Sequence, residues 1–128
     1  MRKNLLLDSH CVFAAKDINK TAAYYQKYLG FRAVPYLDAI EPHICLYRDN
    51  TEIILIDAKG REIKTNRALY GYGEDAYFIT DQQEALYEEF QKAGVKIVRP
   101  IGLTDYNNKE FVIEDIDGRR ICFGIKLG

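Results

Sequence analysis

The chain has 128 residues, 48% apolar and 29% charged, which is the composition of one globular domain and excludes a disordered or fibrous chain. Eighteen basic residues against nineteen acidic ones give a net charge of −1, so no electrostatic footprint for nucleic acid or an anionic membrane is present. Three widely spaced cysteines, Cys11, Cys45 and Cys122, form no C-x-x-C pair; they fit a reducing compartment and exclude a disulfide framework or a zinc finger.

The N-terminal Met1-Arg2-Lys3 is followed by an apolar run of only three leucines, too short for a signal peptide, and no stretch approaches the length of a membrane span. The expected setting is cytoplasmic. Residues 10–16 read as a short buried strand. Asp17 then offers a carboxylate to the free N–H groups of a helix that runs to about Leu29, with Ala22, Tyr25, Tyr28 and Leu29 on its apolar stripe. Gly30 stops it. Strands are expected at 31–37, 43–48 and 52–57, with Asp49-Asn50 as a hairpin turn in which Asn supplies the positive φ. Pro35 and Pro42 belong near strand ends or edges. Residues 58–74 read as a polar connector carrying Tyr70 and Tyr72.

The second half repeats the first. A strand at 75–80, Asp81 as N-cap, a helix to Ala93 and a stop at Gly94 are followed by strands at 95–99, 109–115 and 119–126, the last pair joined by Asp117-Gly118. Asp17 to Gly30 and Asp81 to Gly94 both span thirteen positions, and duplication accounts for the match. The fold class is therefore α+β: a single domain over 1–128, built of one βαβββ module at 10–57 and another at 75–126. Two such curved sheets would form a half-open, barrel-like cup.

Several segments carry a family resemblance: His10 seven residues before Asp17, Tyr24-Tyr25, Leu29-Gly30-Phe31, Ala85 to Phe90, Ala93-Gly94-Val95, and Glu110 through Gly124. From His10 to Gly124 the sequence resembles the vicinal oxygen chelate superfamily, also called the glyoxalase/bleomycin-resistance/dioxygenase superfamily. Lys109-Glu110-Phe111, Asp115-x-Asp117-Gly118 and Phe123-Gly124 are similar to the closing motif of its bleomycin-resistance branch, although Ile116 replaces that branch's Pro and Tyr106 stands where many members have Trp.

The resemblance implies a divalent metal held by His and Glu from four cup strands, and a homodimer with clefts between subunits. Of the ligand positions, the first falls on His10, the second on Ile54 or Leu55, the third on Asp75 (Glu74 by strict repeat) and the last on Cys122. With one usual ligand and one apolar replacement, no metal cofactor is expected; the alternative is zinc at His10, Asp75 and Cys122. Without metal the cup becomes a small-molecule site. Strand parity gives its lining as His10, Leu55, Asp57, Asp75, Tyr77, Arg120 and Cys122, with Tyr106, Tyr70 and Tyr72 at the rim. The expected function is metal-free sequestration of a small organic molecule. The alternatives are a glyoxalase-type lyase, isomerase or thiol transferase, or an association module with a vestigial cup.

Overall fold

A computed structural model describes residues 3–127. The first half runs β1 (Cys11–Ala15), α1 (Ile18–Leu29), β2 (Arg32–Tyr36), β3 (His43–Arg48) and β4 (Thr51–Asp57). A connector with a short helix α2 (Asn66–Tyr70) leads to β5 (Ala76–Ile79), α3 (Gln83–Ala93), β6 (Lys96–Leu103), β7 (Asn108–Glu114) and β8 (Arg120–Lys126). Each half forms its own four-stranded sheet, in the orders β1-β4-β3-β2 and β5-β8-β7-β6. The last three strands of each half pair antiparallel, and the first pairs parallel with the last. This is the duplicated βαβββ pattern, and the sheets do not close into a barrel.

The caps explain most of the boundaries. Asp17 Oδ1 accepts from the Lys20 N–H at 3.1 Å, and Gly30 takes the left-handed conformation (φ 73°) that ends α1. Gly94 ends α3 in the same way at φ 84°. The N-terminus of α3 departs from expectation. Its cap position is Gln82, with no side-chain cap bond, and Asp81 lies outside it. Thr80 Oγ1 has already taken the Gln82 N–H at 3.0 Å, turning the chain one residue before Asp81 could act. In the β3–β4 turn the positive φ falls on Asp49 (φ 50°) rather than Asn50. The connector is not wholly irregular: Thr65 Oγ1 accepts from the Ala68 N–H at 3.1 Å and starts α2. Strand β6 runs past the expected end at residue 99, because as an edge strand it tolerates Pro100 and two register shifts.

Side chains from the helix-bearing faces of both sheets merge into one core. Phe13, Ala15, Ile53 and Leu55 from the first sheet join Tyr25 and Leu29 of α1, Phe90 of α3, and Phe111, Ile113, Ile121 and Phe123 of the second. Fully burying one such side chain stabilises by about 1.5–3 kcal/mol, so this shared core holds the halves together.

Each helix also meets the distal turn of the opposite half. Against α1, Tyr25 Oη donates to Asp115 Oδ2 (2.6 Å) and Thr21 Oγ1 to Asp117 Oδ2 (2.7 Å). Arg119 completes that junction. It donates to Asp115 (2.9 Å), Asp117 (2.7 Å) and the Ala14 carbonyl (2.5 Å), with its guanidinium 4.6 Å from the Phe13 ring centre. The attraction of Asp115, Tyr25 and Asp117 outweighs the cost of burial and holds Arg119 charged. Against α3, Arg48 donates twice to Glu89 (2.6 and 2.8 Å) and once to the last carbonyl of α1, that of Leu29 (2.8 Å).

Candidate functional site

The face of each sheet turned away from the core is open, and register decides what it displays. In the first sheet Cys11 pairs with Ile53, Val12 with Ile54 and Phe13 with Leu55. Cys11, Phe13, Ile53 and Leu55 therefore point inward, and Leu55 is 0% exposed. The expected cup lining is corrected here: Leu55 is a core residue and the open face carries Glu52, Ile54 and Ile56 instead. Asp57 shares the parity of Leu55 and closes the strand's end, its Oδ1 accepting from the Lys59 N–H at 2.7 Å. His10 does lie with Val12 and Ala14, and its partner is Glu52, with Nε2 3.3 Å from Oε1. Neither Ile54 nor Leu55 is the residue across from His10.

In the second sheet the expected lining shares the open face. Tyr77 pairs with Cys122, and Cys122 stands across from Val112 on β7. Asp75 meets Arg120 through the backbone: Asp75 N–H donates to the Arg120 carbonyl (2.8 Å), and Arg120 N–H donates to Asp75 Oδ2 (3.2 Å). The other oxygen of Asp75 accepts from the Asn66 N–H at 2.9 Å, anchoring α2.

The centre of this face is a residue that pattern reading missed. The Glu110 side chain is 1% exposed, yet it carries a charge. Its carboxylate accepts from Tyr77 Oη (2.7 Å), Tyr106 Oη (2.5 Å), Arg99 Nη2 (2.6 Å) and Asn108 Nδ2 (3.3 Å). Burial alone would raise its pKa, but these four donors outweigh that and hold the carboxyl below the usual range. Glu110 in turn raises the pKa of both phenols: at Tyr77 burial is the larger cause and Glu110 the next, and at Tyr106 the bond to Glu110 comes first. Gly124 makes the arrangement possible, since a Cβ there would overlap Glu110 Cβ and the Lys109 carbonyl. A cavity of about 360 Å3 opens beside this group, along Arg99, Gly102, Thr104, Tyr106 and Glu110.

Both tyrosine hydroxyl hydrogens point at Glu110, and the Tyr77 oxygen in turn accepts from Asn108 Nδ2 at 3.1 Å. Arg99 spends only Nη2 on Glu110 and keeps other donors free. Tyr70 and Tyr72, expected at the rim, are exposed on and just after α2.

The alternative zinc set is not assembled. Among the described residues no three of His, Cys, Asp or Glu gather as a metal site. Burial, with Glu110 nearby, pushes the Cys122 thiol up to about 12, so it is not a thiolate at neutral pH. Asp75 is committed to two backbone N–H groups, and His10 with Glu52 supplies only two donors where a catalytic zinc takes three. Among the described residues of one chain, His10, Asp75 and Cys122 do not come together as a ligand set.

The sequence profile described as the Glyoxalase/Bleomycin resistance protein/Dioxygenase superfamily matches residues 9–123. Among curated proteins the sequence has no match. Solved structures of the same shape include a glyoxalase-related enzyme from Clostridium phytofermentans, with 16% identity, 99% of this chain and 100% of that one covered, and a TM-score of 0.73. A superfamily member from Sphaerobacter thermophilus has 18% identity over 94% and 98% of the two chains, with a TM-score of 0.71. TioX from Micromonospora sp. ML1 has 17% identity over 94% and 100%, with a TM-score of 0.68. At these identities the likeness is one of fold.

Proposed function

The chain belongs to the Glyoxalase/Bleomycin resistance protein/Dioxygenase superfamily, and from that premise we propose that it binds a small organic molecule without a metal, in the manner of the bleomycin-resistance branch. The observation that carries this reading is the Glu110 group. It is a fixed, internally bonded set of polar groups with Arg99 donors to spare, aromatic faces and an adjoining cavity, which is what a small-molecule site needs.

The open faces support a second copy as the lid. Val12 is 60% exposed and Ile79 75%, with Ile56 and Tyr77 beside them on the same open faces, and such surface is normally covered. A homodimer that lays the first sheet of one copy over the second sheet of the other makes the cleft between subunits. The His10–Glu52 pair of one copy then faces the tyrosines of the other.

The test is a thermal-shift screen of planar organic compounds on chelator-stripped protein, with sedimentation to give the oligomeric state. A ligand at 100 times its Kd adds about 2.7 kcal/mol. That shift is expected to survive chelator and to disappear in Glu110→Gln. A shift seen only after zinc is restored overturns the metal-free reading, and a monomer that still binds removes the intersubunit cleft.

A further inference from the structure

The two helix–turn junctions occupy equivalent places in the repeat but are filled differently. Counted back from the terminating glycine, Glu89 on α3 stands where α1 has Tyr25, and Ala85 where α1 has Thr21. The opposing turn is Asp49-Asn50 at α3 and Asp115–Arg119 at α1. At α1 a phenol ring and a guanidinium from the longer loop fill the space. At α3 a cavity of about 410 Å3 remains.

Phe78, Leu86, Phe90 and Phe123 line the cavity with aromatic and aliphatic surface, and the Arg48–Glu89 pair stands at its edge. That pair is bidentate, and Asp49 lies 3.7 Å from the same guanidinium, so the edge sets one cation against two carboxylates and disfavours an anionic ligand. Thr80, also in the wall, uses its oxygen to accept from the Gln82 N–H and keeps its hydroxyl hydrogen to donate. The volume lies within the range of small-molecule sites.

We infer that this intermodule cavity is a second binding site, separate from the open sheet faces, for a small neutral phenol-like molecule. The filled junction gives the pattern: there the ring is that of Tyr25, with its hydroxyl on a carboxylate of the opposing turn, whereas in the open junction the carboxylate, Glu89, is on the helix itself. In the open junction the aryl body lies on Phe78 and Phe123, the phenol hydroxyl donates to Glu89, and its oxygen accepts from Thr80.

The probe is 4-fluorophenol, followed by 19F NMR on the intact protein. Saturable shift or broadening in the millimolar range is expected, with intermolecular NOEs to Phe78, Leu86 and Phe123. Ala85→Phe, on the exposed surface of α3 at the cavity wall, is expected to weaken binding about tenfold or more. Val12→Gln, on the open face of the first sheet, is expected to leave it unchanged. Circular dichroism checks that both variants fold, and the NOEs decide the site even if Ala85→Phe does not. Absence of saturation, NOEs to Tyr106 or Tyr77 instead, or loss in Val12→Gln with retention in Ala85→Phe would each overturn the inference.

Discussion

The α1 junction and the α3 junction are two solutions to one packing problem. At α1 a five-residue loop reaches back and plants the buried Arg119 between two aspartates, a backbone carbonyl and the buried Phe13 ring. At α3 a two-residue turn is too short to reach, and the contact is a solvent-facing ion pair beside a void. The difference teaches that loop length, rather than helix or strand sequence, sets whether a duplicated interface closes. A tight hairpin has no spare backbone with which to place a long side chain in the junction.

The comparison breaks most visibly at Arg119. Arg119→Ala leaves Asp115 and Asp117 buried without their cation, and a loss of about 3–5 kcal/mol is expected in urea denaturation. Next comes Tyr25→Phe, which keeps the ring and removes one bond to Asp115; about 2 kcal/mol is expected from the same measurement.

Acid separates carboxylates by their surroundings. Glu110 and Glu89 both titrate below the usual range in the fold, Glu110 through its four donors against burial and Glu89 first through its bond to Arg48. Each contributes stability that is present above the unfolded value of about 4.3 and is lost as pH falls through the folded one. The denaturation midpoint is expected to drop below about pH 4, and Glu110→Gln is expected to flatten that drop far more than Glu89→Gln, because Glu110 is shielded from water and Glu89 is not. The smallest effect belongs to the open junction: Glu89→Ala is expected to cost less than about 1 kcal/mol. A cost equal to that of Arg119→Ala would show the two junctions to be energetically alike.

The duplication was legible because its punctuation is local. Gly30 and Gly94 stop the helices in the left-handed conformation, and Gly118 supplies the positive φ of the turn at Asp117-Gly118. Asp81 misled because the competing acceptor, Thr80, sits one residue away and the choice between them depends on the incoming strand.

The site was half legible. On β8, Arg120, Cys122 and Gly124 alternate with large apolar residues, and parity shows. On β4 the run Ile53-Ile54-Leu55-Ile56 is apolar on both faces, so period two is invisible and only the register with β1 assigns the sides. Glu110 reads as an ordinary polar residue beside Lys109. Two of its donors, Tyr77 and Arg99, arrive from 33 and 11 residues away, through pairings that local pattern does not encode. A strand glycine opposite a carboxylate, Gly124 against Glu110, was the one available signal.

The connector gives the molecule a property of a different kind. Residues Lys59 to Glu62 are exposed, and α2 beyond them is tied to the second half through Asn66, Glu74 and Asp75. Cutting between Gly60 and Arg61 severs no strand or helix and breaks only the Arg61 N–H bond to the Ala58 carbonyl. The tether acts chiefly as an effective concentration, in the millimolar range for a short flexible link. The two halves, expressed as separate polypeptides, are expected to reassemble in a concentration-dependent way that reads out the shared core.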